Sequence, residues 1–275
     1  MAAAAEMVAV KGRPRVLVLR AAGTNCDAET AFAFEHAGAA AEQVHINRLV
    51  SGEKKLRDYH ILAVPGGFTY GDDVASGKIL ANELKYKLAT DLEKFIGAGK
   101  LIIGICNGFQ VLVKAGLLPG KGEGGEHLEA TLTTNDTARY EDRWVYLRMA
   151  KSTNMESQNR CVWTRGLDEL IYIPAAHGEG KFVPKDAVVL GKLWANGQVV
   201  FRYVDPRGKL AGFPWNPNGS TDNIAGICDI TGRVFGLMPH PERHLFPTQH
   251  PRWTRGEAQR EGDGARIFRN GVKSV

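Results

Sequence analysis

The chain has 275 residues, 44% hydrophobic and 24% charged, which is enough to bury a substantial core within one α/β domain. Its formal net charge of +5 is dispersed and no aromatic-basic motif accompanies it, which argues against a nucleic-acid partner. No run approaches the roughly 18 apolar residues of a membrane span, the start Met1-Ala2-Ala3-Ala4-Ala5-Glu6-Met7 lacks the basic flank of a signal peptide, and Cys26, Cys106, Cys161 and Cys228 show no Cys-x-x-Cys spacing, so a cytoplasmic protein without zinc, disulfides or a membrane is expected.

In chain order, residues 1–13 read as a flexible end that includes the Ala2 to Ala5 tract. Val16 to Arg20 is a buried strand, followed by Gly23-Thr24-Asn25-Cys26-Asp27 and a helix over Ala28 to His36 capped near Asp27. Cys26 lacks flanking glycines and reads as structural in that turn. Strands follow at Val44 to Ile46 and His60 to Val64, the second ending in Pro65-Gly66-Gly67-Phe68. Backbone amides at a Gly-Gly turn can be aimed at a developing oxyanion without side-chain obstruction, so the Gly67 amide, paired with that of Asn107, is a candidate oxyanion hole. Gly71 to Ile79 is no phosphate loop: it has one residue too many between its glycines, no Ser or Thr to ligand magnesium, and two aspartates that would repel phosphate. It reads as a loop over the active site or at a partner contact. A helix over Ile79 to Ile96 and a strand at Leu101 to Ile105 come next.

That strand runs into Gly104-Ile105-Cys106-Asn107-Gly108-Phe109-Gln110 and then a helix over Gly108 to Ala115. A strand, a sharp turn and a helix lift one side chain clear of the sheet, and a Cβ at Gly104 or Gly108 would collide with neighbouring backbone. The helix N-terminus favours thiolate over thiol, so Cys106 has the setting of a nucleophile. Alternating strands and helices to this point imply a parallel sheet with helices on both faces.

Beyond Leu118 the pattern changes. The glycine-rich loop Gly120 to Gly125 precedes short strands expected at Trp144 to Met149, Cys161 to Thr164, Leu170 to Ile173, Val188 to Leu193 and Val199 to Tyr203, an antiparallel extension of the same domain. His177-Gly178-Glu179-Gly180 lies among them. A last strand enters Met238-Pro239-His240-Pro241-Glu242-Arg243, where an extended backbone would put His240 and Glu242 on one face as a base and its orienting carboxylate. His177 competes with His240 as the base, since Glu179 also follows it by two residues. His36, His45, His60 and His127 have no metal-ligand spacing.

The segments Gly23-Thr24-Asn25-Cys26-Asp27, Pro65-Gly66-Gly67-Phe68-Thr69-Tyr70-Gly71-Asp72, Gly104 to Gln110, His177-Gly178-Glu179-Gly180 and Met238 to Arg243, in that order, resemble the glutaminase subunits of phosphoribosylformylglycinamidine synthases, which are class I glutamine amidotransferases of purine biosynthesis. The resemblance covers residues 14–245 and leaves 246–275 as a C-terminal extension, an arm lying on a partner or on the domain's own surface. It implies a flavodoxin-like fold with a mostly parallel central sheet. It further implies Cys106, His240 and Glu242 as the catalytic triad, His240 rather than His177 as the base, and Gln110 as a lining residue of the glutamine pocket. Ammonia would pass to a synthetase subunit that binds ATP and magnesium, with a third, small subunit left open and no cofactor in this chain. Two alternatives remain at this point: another elbow-cysteine hydrolase or deglycase, and a non-catalytic subunit that only stabilises the synthetase.

Overall fold

The computed structural model describes residues 12–120, 128–152, 160–257 and 261–275. The Ala2 to Ala5 tract, most of the Gly120 to Gly125 loop and His127 lie outside them.

The first half follows the alternating pattern. Strand β1 (Arg15–Arg20) is followed by helix α1 (Asp27–His36), β2 (Ala40–His45), the short α2 (Ile46–Val50) and β3 (Ile61–Val64). Then come α3 (Lys78–Lys87), α4 (Ala89–Gly97), β4 (Leu101–Ile105) and α5 (Asn107–Lys114). β3 and β4 are buried at every position, as strands covered on both faces must be. The expected strand at Val44 to Ile46 starts earlier, at Ala40, and Ile46 already belongs to α2. The expected helix Ile79 to Ile96 is two helices, broken where Leu88 leaves helical geometry at φ −124° and ψ 10°. Asp27 does not cap α1 with its side chain; it pairs with Arg20 at 2.6 Å.

The second half contributes β5 (Ala130–Thr133), β6 (Glu141–Met149), β7 (Leu170–His177), β8 (Lys181–Pro184), α6 (Ala187–Ala195), β9 (Val199–Val204), β10 (Ile224–Cys228), β11 (Val234–Leu237) and α7 (Ala265–Lys273). Two expected strands are absent. Cys161 to Thr164 forms a 3₁₀ turn over Val162–Thr164. Val188 to Leu193 lies in α6, because Asp186 Oδ1 accepts the Val189 N–H at 2.8 Å and so starts a helix.

One sheet carries the molecule, in the order β2-β1-β3-β4-β11-β10-β9-β6-β7, with β5 and β8 as a separate pair. β2, β1, β3, β4 and β11 run parallel, and β10, β9, β6 and β7 continue the same sheet in antiparallel pairs. The crossovers β1-α1-β2 and β3-α3-α4-β4 step outward in opposite directions, so right-handed connections place their helices on opposite faces. β4 and β11 are direct neighbours, with Leu237 registered against Ile105. This brings the two sequence-predicted catalytic segments to one edge.

The C-terminal helix α7 packs on the domain itself. Ile267 and Phe268 are fully buried, and Phe268 meets Phe34 of α1 edge-on at 5.0 Å. Asn270 Nδ2 donates to the Trp163 carbonyl at 2.9 Å, and a Cβ on Gly271 would fall 2.3 Å from that indole. Among the described residues, no helix is long and apolar enough to cross a membrane.

Candidate active site

Cys106 stands at the turn between β4 and α5 with φ 52° and ψ −107°, a backbone that L-residues rarely adopt. The turn is held from both sides: Cys106 N–H donates to Leu237 O at 2.8 Å, and the Cys106 carbonyl accepts Gln110 N–H at 3.1 Å. The flanking glycines are required by space. A Cβ at Gly104 would lie 2.6 Å from Gly108 O, and one at Gly108 only 1.8 Å from Val64 O. Cys106 is 6% exposed and its Sγ lies 3.5 Å from the Ala176 carbonyl.

β11 delivers the second group. His240 N–H donates to Pro174 O of β7 at 2.7 Å, and Nδ1 meets Glu242 Oε1 at 2.7 Å, with both side chains almost fully buried. The backbone does this differently from the extended His-Pro-Glu expected. His240 is extended, but Pro241–Arg243 is a 3₁₀ turn that curls the carboxylate back onto the ring. Burial opposes a charged imidazole here, yet Glu242 first and Cys106 second outweigh it, so the His240 pKa stands well above its ordinary value. With Nδ1–H given to Glu242, neutral His240 presents Nε2 as an acceptor, and that atom has no hydrogen-bond partner among the described residues.

The cleft around these groups is lined by Cys106, His240, Gly67, Gln110, Tyr140 and His177, and Cys26, Asp72, Ser76, Glu179 and Arg243 also border it. Gly67 reaches it with φ +138°, pinned by a bridge to Thr24. Among the described residues, no hydrogen bond uses the N–H of Gly67 or Asn107. The Asn107 side chain is committed elsewhere: Oδ1 accepts Thr69 Oγ1 at 2.6 Å, and Nδ2 donates to Gln110 Oε1 at 3.0 Å. Gln110 Nε2 donates to Glu179 O at 2.6 Å, so its amide keeps one lone pair and one N–H for a ligand.

His177 and His240 are set apart by their partners. Glu179 does not turn to His177; its Oε2 accepts the Ser76 N–H at 3.2 Å and lies 3.7 Å from Lys114 Nζ. Burial first, and the charge of His240 second, push the His177 pKa down to about 4, so the ring is neutral at pH 7.

Cys26 lies much closer to this chemistry than its sequence context suggests. A Cβ on Gly66 would sit 2.9 Å from His240 Cε1, 3.1 Å from Cys26 Sγ and 3.4 Å from Cys106 Cβ, so one glycine separates the two thiols and the imidazole. Arg243 Nη2 donates to Cys26 Sγ at 3.2 Å while Nε donates to Glu29 at 2.9 Å. Burial pushes the Cys26 thiol up to about 11, which keeps it protonated. Cys26, Glu29, His240 and Glu242 bring potential ligand atoms within 4.8 Å of one another, but the Arg243 guanidinium already supplies the cation there. The reach of Cys26 and Arg243 into the cleft carries no local signal, because it depends on the Thr24–Gly67 bridge and on the turn after β11. The Gly71 to Ile79 loop contributes Asp72 and Ser76, with Tyr70 and Asp72 in left-handed backbone at φ 56° and 54°.

Residues 13–275 match the CobB/CobQ-like glutamine amidotransferase domain family. The chain is 48% identical over 260 residues to phosphoribosylformylglycinamidine synthase subunit PurQ of Dehalococcoides mccartyi, spanning 94% of this chain and 96% of that one. It is 46% identical over 278 residues to the subunit of the same name from Methanococcus maripaludis, spanning 96% and 98%. It superposes on a chain of the PurLQS structure from Thermotoga maritima with a TM-score of 0.71 and 32% identity, over 95% of this chain and 99% of that one. With an elbow cysteine and a His–Glu pair at one sheet edge, and with this match along nearly its whole length, the chain belongs to the CobB/CobQ-like glutamine amidotransferase domain family.

Proposed function

We propose that this chain is the glutaminase subunit of a phosphoribosylformylglycinamidine synthase. The observation that carries the reading is the 2.7 Å His240–Glu242 bond in the cleft that also holds the elbow thiol Cys106. The name shared by its relatives, which this chain spans almost end to end, supports the choice of reaction.

His240 takes the Cys106 proton at Nε2, and Glu242 stabilises the imidazolium that results. The thiolate attacks the side-chain amide carbon of glutamine, and the amides of Gly67 and Asn107 receive the negative charge on the carbonyl oxygen. His240 returns its proton to the leaving nitrogen, ammonia departs, and a Cys106 thioester remains. Water, deprotonated by His240, cleaves the thioester to glutamate and restores the thiol. One glutamine and one water give one glutamate and one ammonia. Gln110 borders the bound glutamine.

Ammonia then passes to a synthetase subunit, which holds ATP and magnesium and converts formylglycinamide ribonucleotide to its amidine. A small third subunit completes the assembly, and the complex is cytoplasmic. This chain uses no cofactor.

Incubation with a glutamine-analogue electrophile, followed by peptide mapping, should place the adduct on Cys106 alone, and excess glutamine should suppress it. In the reconstituted complex, Cys106→Ala should abolish glutamine-dependent amidine formation and spare the ammonia-dependent reaction. Unchanged glutamine-dependent transfer by that variant would show that the chain only stabilises its partner.

A further inference from the structure

Two of the four thiols play no part in the steps above. Cys161 and Cys228 are free, 3% and 0% exposed, and hydrogen-bonded to one another on the far side of the sheet's sequence order. Cys228 ends β10, with its Sγ 3.9 Å from the carbonyl of Gly197 in the turn before β9. Cys161 meets the same glycine from a shallow surface hollow of about 20 Å³ that Ser152 and Thr164 also line.

The backbones that carry the two sulfurs fix their meeting. Residues on either side of Cys161 are tied to the turns that flank Cys228: Arg160 Nε donates to Asn196 O at 2.7 Å, Val162 N–H to Gly232 O at 3.0 Å, and Trp163 Nε1 to Arg233 O at 3.0 Å. Gly232 admits this approach only because it has no side chain, since a Cβ there would lie 2.1 Å from Arg160 O. Gln198 holds Cys228 in turn: its carbonyl accepts the Cys228 N–H at 2.8 Å, and its Nε2 donates to the Cys228 carbonyl at 3.0 Å. Neither thiol can leave the other without breaking these bonds.

The two sulfurs are not equivalent. Cys161 borders the hollow, which has room for a molecule about the size of water. The hydrogen bond to Cys161 first, and burial second, hold the fully buried Cys228 thiol well above its ordinary range, so it stays protonated until its partner has reacted.

We propose that Cys161 and Cys228 form a peroxide-sensitive pair that closes to a disulfide. The Cys161 thiolate attacks one oxygen of hydrogen peroxide, the O–O bond breaks, and the hydroxide that leaves takes up the proton lost by Cys161, so that a sulfenic acid and one water result. The Cys228 sulfur attacks the sulfenic sulfur, the S–S bond forms, and the second hydroxide leaves as water with the Cys228 proton. Two thiols and one peroxide give one disulfide and two waters. The new bond staples the Val162–Thr164 turn to the end of β10. That turn is also the seat of α7, through the Asn270 bond to the Trp163 carbonyl, so the oxidised chain fastens its C-terminal helix to the sheet.

The test treats the purified subunit with hydrogen peroxide, blocks remaining thiols and digests without reductant. One linked peptide pair, Cys161 with Cys228, should appear and be separated by dithiothreitol. Closing a loop of roughly 67 residues restricts the unfolded chain, so the melting temperature should rise by about 5–10 °C on oxidation and fall back on reduction. Cys228→Ser and Cys161→Ala, given the same peroxide so that oxidation of Cys106 is common to all samples, should show no rise. Sulfinic or sulfonic acid at Cys161 without a linked pair would overturn the proposal, as would recovery of both thiols unmodified at peroxide that oxidises Cys106. A rise that persists in Cys228→Ser would overturn it too. Where a variant fails to fold, the wild-type peptide map decides alone.

Discussion

The sharpest test of the elbow is Gly108→Ala. A Cβ there would lie 1.8 Å from Val64 O and 2.6 Å from Val64 C, whereas ordinary contact begins near 3.4 Å. The obstacle is backbone, so no rotamer relieves it, and α5 must retreat from the end of β3 by about 1.6 Å, the difference between those distances. Overpacking of this kind costs about 3 kcal/mol, which lowers the melting temperature of a chain of this size by roughly 6–12 °C. The same retreat moves Cys106 and the Asn107 amide, and a misplacement of about 1 Å costs on the order of 100-fold in rate. The assay pairs urea unfolding with glutamate release from the complex. Gly97→Ala is the control, because Gly97 ends α4 and a Cβ there meets nothing within 4 Å. It should leave both readouts intact. A Gly108→Ala protein with wild-type stability and turnover would refute the steric account of the elbow.

Three further outcomes are expected. Glu242→Gln keeps the shape of the pair but removes its charge, so glutamate release should fall roughly 10³-fold or more, and the pH dependence of Cys106 alkylation should shift with the weakened His240 imidazolium. His177 bears on acid stability: above its ordinary pKa of 6.5 both folded and unfolded chains hold it neutral, while below 6.5 the unfolded chain binds a proton that the folded one refuses until about 4. Its contribution is therefore full above pH 6.5 and drains by about 1.4 kcal/mol per unit as pH falls toward 4, a slope that denaturant titrations should find reduced in His177→Gln. Phe268→Ala empties a fully buried ring site between α7 and Phe34 and should cost about 3–5 kcal/mol in thermal or denaturant melts.

What the sequence disclosed and what it concealed divide along chain separation. Cys106 was legible because an elbow is local, with a strand, two glycines and a helix within a few residues. His240 and Glu242 were legible as a pair, although a 3₁₀ turn rather than an extended strand brings them together. Val188 to Leu193 looked like a strand because an apolar run has no period to reveal its geometry; the deciding signal was the Asp186 cap just before it. β5 and β8 are four residues each and exist only by pairing with one another across fifty residues of chain, so neither announces itself. The break at Leu88 lies inside a pattern that is helical on both sides. The Gly71 to Ile79 loop reads from its sequence as a cover over the active site or a partner contact, and its Asp72 and Ser76 do line the cleft, whereas the reach of Cys26, Arg243 and Glu179 into it was not legible, since each enters from a separate loop once the sheet has closed.

The strand order has a consequence for how the protein is made. β11, which leads into His240, lies directly against β4, which leads into Cys106, yet it is synthesised after β5 through β10. A ribosome therefore releases Cys106 long before the histidine that would ionise it, and the slot beside β4 stays unfilled until nearly the whole polypeptide has emerged. A nascent or prematurely ended chain thus carries Cys106 without the imidazole beside it, and lacks the pair to which glutamine hydrolysis is assigned above.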